Sequence, residues 1–463
     1  MRILHTSDWH LGRMLEGRSR LEEQVKFIDE LCGIVEEERV ELVLIAGDVF
    51  DTVNPPATAE ELFYEALDRL AAGGKRAVVA IAGNHDNPDR LCAASPLAVR
   101  HGITLFGLPK EILSPSSLVR EDRVYRVAAG QGWVKLHIPN CPDPVVIAML
   151  PYPSESRLNE VLSETLDEEI LRAEYSRRVG QFWTKLAENF EADAVNLGVS
   201  HIYVRGGLES DSERPIQLGG APTVEPEMMP AGAHYVALGH LHRPQAVKAA
   251  SVPTRYAGSP LAYSFSETGY SKSVMLVEAF PGREAQLREI PLNSGYPLVR
   301  WRATEGLAQV YRWLDEGRDL NAWIDLEVHV TNALNSQDVQ TLRRSRERIV
   351  NIRPVFPTTE QIVSESRSQL PLEELFRRFY KEKTGGAEAE SELVALFLDL
   401  IHAEKDADTS ETDVIDQDGN VGEGFSGDSD AGNKMEEAAV NERIRRELEG
   451  QAGPAVDEEV ETA

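Results

Sequence analysis

Five segments carrying Asp, Asn or His each follow an apolar run. They are Asp8-Trp9-His10 after RILHTS, Gly47-Asp48 after VELVLIA, Gly83-Asn84-His85-Asp86 after RAVVAIA, His201 after AVNLGVS, and Gly239-His240-Leu241-His242 after HYVAL. Short runs so rich in Val, Ile and Leu read as buried strands. Between them lie helical patterns: Leu21, Val25, Ile28, Leu31 and Val35 share one spacing, and Leu62, Phe63, Leu67 and Leu70 another, with Gly73-Gly74 as its stop. Strand alternating with helix implies a largely parallel sheet covered by helices. Open sheets of that kind bind ligands beyond the carboxyl ends of their strands, which is where the Asp and His residues fall. Strands lying side by side in one sheet would bring all five segments to one edge.

Further along, residues 155–190 are helical and lead into the His201 strand, while 205–230 read as a long loop rich in Gly, Pro and acids. RYAGSP and SKSVMLVEAF are expected to form a strand pair completing a second sheet, an order compatible with two sheets packed between helices. A boundary falls near residue 290. Residues 298–355 run strand, helix, strand, helix, strand, a small α/β unit. Two amphipathic helices follow: Leu372, Leu375, Phe376 and Phe379 lie on one face, and Leu393, Leu396, Phe397, Leu400 and Ile401 on another, with Gly385-Gly386 between them. The expected domains are therefore 1–290, 291–358, a linker with its helix pair at 359–404, and an acidic tail at 405–463 too polar to bury a core.

Net charge is −29, but residues 404–463 hold 19 acidic and 5 basic residues and so carry −14 of it. Net charge governs solubility and steering rather than local chemistry, and bound cations could hold a phosphate on an acidic surface. Cys32, Cys92 and Cys141 are widely spaced and form no C-x-x-C pair, so neither a disulfide scaffold nor a zinc knuckle is indicated. No apolar run approaches the ~20 residues of a membrane span and no secretory signal is recognisable, so no membrane partner and a cytoplasmic location are expected.

Any one of the five segments is ordinary, since a lone Gly-Asp after a strand is usually a turn. Their joint recurrence is not. Carboxylate, imidazole and amide oxygen together suit Mn²⁺, Fe²⁺ or Zn²⁺. A carboxylate shared by two ions about 3.5–4 Å apart creates a centre that activates water against phosphate esters. Asp48 is the candidate bridge, because it ends a central strand and has no neighbouring ligand. Asp8 with His10, and His240 with His242, are expected to alternate on strand ends so that both side chains reach one ion. His85 is the candidate proton donor to the leaving oxygen, with Asp86 as an orienting group.

The ordered set D-x-H, G-D, G-N-H-D, H, G-H-x-H resembles the calcineurin-like metallophosphoesterase superfamily. Within it, DWHLGR at 8–13, GDVFD at 47–51, GNHD at 83–86, GHLHRP at 239–244 and AGSP at 257–260 resemble the SbcD nuclease subunits of bacterial SbcC–SbcD complexes. The likeness covers about residues 1–290 closely and the remainder by layout. It implies a four-layer metallophosphoesterase sandwich of two sheets flanked by helices, with a small α/β capping domain and a C-terminal helical pair. It assigns Asp8, His10, Asp48 and His242 to one ion, Asp48, Asn84, His201 and His240 to the other, and His85 to catalysis. It further implies two divalent ions, Mn²⁺ first, and ATP-dependent exonuclease action on double-stranded DNA and endonuclease action on single-stranded or hairpin DNA, in repair, recombination and replication. A homodimer and an SbcC-like coiled-coil ATPase docked on the helix pair are implied as well. ATP chemistry belongs to that partner, since the chain has no G-x-x-x-x-G-K-[ST]. Some relatives carry a second functional His three residues after the bridging Asp; Asp51 stands there, either as support for the site or as a turn residue.

Two other readings fit the same motifs: a metallophosphatase or nucleotide phosphodiesterase, and a scaffold subunit without catalysis. His5, His101, His137, His234, His329 and His402 have no ligand partner at useful spacing and are read as structural. Trp301, Trp313 and Trp323 are read as core. Arg300, Arg302, Arg343, Arg344, Arg346 and Arg348 form either a solvated face or, on the resemblance, a DNA-facing one.

Overall fold

A computed structural model describes residues 1–160, 168–213, 223–331, 334–356 and 372–383, together with Ala389, Ser391, 393–395, Phe397 and Leu398. It divides into two compact units, Met1–Thr359 and Glu360–Ala463.

The first unit begins with β1 (Arg2–Thr6), α1 (Leu21–Glu37), β2 (Leu42–Ala46), α2 (Ala57–Ala71), β3 (Ala77–Ile81) and β4 (Ile103–Phe106). It continues through β5 (Tyr125–Gly130), β6 (Trp133–His137), β7 (Val145–Leu150), α3 (Glu168–Ala187), β8 (Val195–His201) and β9 (Tyr235–Gly239). Then come β10 (Gln245–Ala246), β11 (Thr254–Tyr256), β12 (Ser273–Glu278) and β13 (Gln286–Pro291).

These strands build a six-stranded sheet in the order β13-β12-β1-β2-β3-β4 and a seven-stranded sheet in the order β10-β11-β9-β8-β7-β6-β5. The five ligand-bearing runs are thus divided, three in the first sheet and two in the second, which corrects the expectation of a single edge. Their central strands are parallel, and every residue of β2, β3, β8 and β9 is buried, as continuous apolar strands covered on both faces should be. The inner faces meet through residues such as Ile3, Leu44 and Val79 against Ile147, Leu197 and Tyr235. The outer face of the first sheet packs on α1 and α2 through Phe27, Leu31, Phe63 and Leu67. That of the second packs on α3 through Val179 and Trp183. Four layers result.

Two local expectations change. RYAGSP and SKSVMLVEAF do not pair: β11 adds to β9 in the second sheet, while β12 runs antiparallel beside β1 in the first. Val25 faces solvent. It lies about 120° around the helix from Leu31, and the buried stripe of α1 runs instead through Phe27, Ile28, Leu31, Ile34 and Val35.

Residues 298–355 form a parallel three-stranded sheet of β14 (Leu298–Ala303), β15 (Trp323–His329) and β16 (Ile349–Val355), with α4 (Leu307–Asp315) and α5 (Ser336–Ser345) between the strands. Trp301, Ile324 and Leu342 lie in its core, with Trp313 packed against them. Trp323 leaves that core and donates through Nε1 to Glu23 of α1 at 2.9 Å. Glu23 also pairs with buried Arg20 and accepts from the Tyr296 amide at 2.7 Å. A buried charge with both partners in place fixes one geometry, because removing either partner leaves an uncompensated ion. The small sheet is therefore pinned to α1.

In the second unit, α6 (Leu372–Lys383) carries Phe376, which stacks on Phe397 with ring centroids 4.0 Å apart. Arg377 donates to the Ala389 carbonyl at 3.1 Å. The expected tail at 405–463 lies outside the described residues.

Candidate metal centre

Loops rather than strand alternation set the ligand positions. β1 ends at Thr6, and Asp8 and His10 lie beyond it in left-handed backbone at φ 53° and 44°. Asp48 (φ 49°) and His240 (φ 106°) also have positive φ. The alternation expected for Asp8 with His10 and for His240 with His242 is thus replaced by tight turns, a backbone state disfavoured for residues with a Cβ. Main-chain bonds lace the first two loops together: Asp8 N to Gly47 O at 3.0 Å, His10 N to Asp48 O at 3.0 Å, and Leu11 N to Val49 O at 2.9 Å. Gly239 marks where the two sheets touch, since a Cβ there would stand 1.9 Å from the Ala46 carbonyl oxygen.

The side chains form two adjoining groups. In the first, His10 and His242 face each other with Nε2 atoms 3.0 Å apart, and Asp8 completes a buried cluster with them. In the second, Asn84 Oδ1 lies 2.8 Å from His201 Nε2 and 3.1 Å from His240 Nδ1. Asp48 stands between the groups, its Oδ2 3.4 Å from His201 Nε2 and 3.7 Å from His10 Nε2. His85 closes one side. Its Nδ1 lies 2.7 Å from the Asp51 carbonyl, its Nε2 3.9 Å from Asp48 Oδ2, and its amide donates to Asp48 Oδ1 at 2.8 Å.

The structure gives Asp51 and Asp86 different work. The Asp51 carboxylate sits 3.6 Å from both His10 Nδ1 and Arg13 Nη1. The Asp86 carboxylate accepts from the amides of Gly83 (2.8 Å), Phe50 (2.9 Å) and Val49 (3.2 Å). It therefore clamps the loop carrying His85 to the loop carrying Asp48, while the Asp51 carbonyl bonds to the His85 ring.

Burial would raise the Asp48 carboxyl, but the rings of His201, His85 and His10 outweigh it and hold it well below the usual carboxylate range. Burial likewise opposes a proton on His201, yet Asp48 wins and lifts that ring to about 9. His240, with burial and then His201 against it, falls to about 3, and burial drives His10 well below its ordinary value. Burial raises Asp8 to about 6 against the pull of His201 and His242. The weakly basic rings of His10 and His240 beside buried carboxylates form a cage that offers lone pairs with little positive charge of their own, while Asp48 holds the proton of His201. Divalent cations fit that cage, and the three ligand clusters contain no cysteine, as hard to borderline metals prefer.

All the motif residues named from sequence converge. His5, by contrast, is buried mid-strand on the Tyr235 hydroxyl at 2.9 Å. Sequence reading quoted Arg13 within DWHLGR without giving it a role, and it missed Ser212, Tyr263, Glu267 and Lys272. Tyr263 donates to the Trp9 carbonyl and packs against the His10 and His242 rings. Ser212, Tyr263, Glu267 and Lys272 follow no motif spacing, and Ser212 lies in the stretch read as a loop.

Residues 1–244 match the calcineurin-like phosphoesterase family. The chain is 50% identical over 411 residues to the SbcD subunit of the SbcCD nuclease from Bacillus subtilis (strain 168), covering 88% of this chain and all of that protein. The chain belongs to the SbcD family. The SbcD subunit of the SbcCD nuclease from Rhodobacter capsulatus is 34% identical over 319 residues, 68% of this chain and 75% of that protein. SbcD-family membership makes this a metal-dependent phosphoesterase of the nuclease-subunit type. Among the described residues no helix is long and apolar enough to cross a membrane.

Proposed function

We propose that this chain is the nuclease subunit of an SbcC–SbcD-like complex, a two-metal phosphodiesterase acting on duplex DNA ends and on single-stranded or hairpin DNA. The convergence of six buried or partly buried ligand side chains around Asp48, in a chain half identical to a named nuclease subunit along that subunit's whole length, carries the reading. Asp8, His10, Asp48 and His242 would hold one ion, and Asp48, Asn84, His201 and His240 the other, with Mn²⁺ the proposed occupant. When bound, such ions supply Lewis acidity that activates water and offsets charge on a phosphoryl group.

The remaining chemistry belongs to the protein. The His85 ring donates through Nδ1 to the Asp51 carbonyl, which leaves Nε2 facing the site. As the P–O bond breaks and a hydroxide oxygen joins phosphorus, the proton on His85 Nε2 passes to the leaving oxygen. Asp51 steadies His10, and Asp86 steadies the loop beneath His85. We further propose 1–290 as the nuclease domain and 291–358 as a capping domain, with 359–404 docking an SbcC-like ATPase and the chain acting as a homodimer.

The test is manganese-dependent cleavage of end-labelled duplex DNA, with and without the ATPase partner, for wild type and His85→Gln. Cleavage by wild type with a loss of about 10²–10⁴-fold in the variant is expected. Turnover of phosphomonoesters or cyclic nucleotides alone, or an unaffected variant, would overturn the reading.

A further inference from the structure

His242 presents Nε2 to His10, and its other nitrogen, Nδ1, lies 2.5 Å from Ser212 Oγ. Ser212 Oγ in turn lies 2.7 Å from Glu267 Oε1. That carboxylate oxygen also accepts from the amides of Tyr263 at 2.9 Å and Ser264 at 3.1 Å, and its twin pairs with Lys272. Lys272 donates onward to the His242 carbonyl at 3.0 Å and to Ser259 Oγ at 2.8 Å. The backbone amide of His242 donates to Glu213 Oε1 at 2.8 Å. Ser212, His242, Glu267 and Lys272 are all buried.

The direction of the bonds follows from inventory. A carboxylate paired with a lysine only accepts, so the Ser212 hydroxyl donates to Glu267; Ser210 Oγ, 2.8 Å from Ser212 Oγ, gives its own proton to Glu213 at 2.6 Å. The Ser212 oxygen is then an acceptor toward His242, so the ring proton sits on Nδ1. Nε2 is the ring nitrogen left facing His10 and Asp8.

We propose that Ser212 is a positioning residue of the metal centre, relaying the Glu267 carboxylate to His242 so that Nε2 stays free to bind the cation shared with Asp8 and His10. The inference rests on the metal-site reading above. It also gives the segment around Ser210–Glu213 a role, because that segment supplies the hydroxyl that links the Glu267 carboxylate to the His242 ring.

The test is calorimetric titration of Mn²⁺ into the full chain, with thermal melting as a folding check. Wild type is expected to bind two equivalents. Ser212→Ala should weaken one of them about 10- to 100-fold, the usual effect of losing a ligand's supporting partner, and leave the other near its wild-type affinity. Ser212→Thr, which keeps the hydroxyl, should restore the affinity. A merely structural role would lower the melting temperature without separating the two equivalents. Independently, long-range ¹H–¹⁵N spectra of wild-type protein labelled at histidine should show the Nδ1–H tautomer for the ring whose signals vanish in His242→Gln, which decides the matter even if Ser212→Ala does not fold. A folded Ser212→Ala with wild-type binding of both equivalents, or a proton on His242 Nε2, overturns the proposal while leaving the metal site standing. Wild type that binds fewer than two equivalents overturns both.

Discussion

Replacing Gly83 by alanine perturbs the centre through a single methyl group. The backbone angle at Gly83 is open to any residue, so the cost comes from contact alone. A Cβ there would stand 2.1 Å from Asp48 Oδ1, 2.3 Å from the Asp48 nitrogen and 2.7 Å from its Cγ. Non-bonded contacts of this kind relax only beyond about 3.5 Å, so the loops carrying Asp48 and Asn84 must part by about 1 Å or more. They cannot part freely, because Asp86 ties Gly83, Val49 and Phe50 together. Overpacking of this sort costs about 1–3 kcal/mol. A displacement of about 1 Å at a reacting centre costs on the order of 10²-fold in rate. Because Asp48 stands between both ligand groups, affinity for both Mn²⁺ equivalents should fall together, unlike the one-sided loss expected for Ser212→Ala. Gly33 is the matched control: it lies exposed within α1, nothing is within 4 Å of its added Cβ, and alanine there should stabilise by up to about 1 kcal/mol. The measurements are thermal melting, Mn²⁺ titration and cleavage of labelled duplex. A Gly83→Ala protein that melts, binds Mn²⁺ and cleaves like wild type would refute the loop-contact reasoning.

Asp86→Asn leaves one acceptor oxygen where a carboxylate served three amides, so a loss of about 1–3 kcal/mol is expected in denaturant melts; an unchanged midpoint would count against the clamp. Lys272→Met strands the buried Glu267 carboxylate, and breaking such a pair by removing one partner costs about 3–5 kcal/mol, readable in the same melts. Glu160 is held down to about 2 from an ordinary 4.5, chiefly by Arg178 and against burial, with Lys110 adding to it. A depressed carboxyl stabilises above its unfolded value and loses that contribution as pH falls through the folded one. The melting difference between wild type and Glu160→Gln should therefore be largest near neutrality and shrink below pH 4.5; a difference that grows with acid would show the sign to be wrong.

What could be read in the sequence was the set of groups that recur by chemistry. Asp8, His10, Asp48, Asn84, His85, His201, His240 and His242 stand out because each follows an apolar run, and buried runs such as LVLIA and YVALG can be little other than covered strands. Which sheet each run joins was not legible. SKSVMLVEAF reads equally well beside RYAGSP or beside β1, and the choice is made by the open edge of β1. The left-handed turns at Asp8, His10 and Asp48 were hidden too, because nothing in D-x-H distinguishes strand alternation from a turn. Ser212 and Glu267 were invisible for a different reason. Their role depends on 30 and 25 residues of separation from His242 closing onto one ring, and no local pattern encodes that.

These two kinds of invisible feature are linked. Four of the ligand-bearing residues sit at positive φ, a conformation that costs of order 1–3 kcal/mol each for residues with side chains. It persists only where surroundings over-determine it. Here the surroundings are specific: Asp8 Oδ1 accepts the His240 amide at 2.9 Å, the Asp48 carbonyl accepts the His10 amide, and Asp48 Oδ1 accepts the His85 amide. Each carboxylate aimed at the metal position therefore also fixes the backbone of another residue of the site, Asp8 that of the ligand His240 and Asp48 that of the catalytic candidate His85. A chain organised this way holds its cage even where like charges and lone pairs repel. Loss of the Asp8 carboxylate should loosen His240 across the boundary between the sheets, and loss of the Asp48 carboxylate should loosen His85 within the first. That is why Asp8 and Asp48 act as structural members of the centre as much as donors to it.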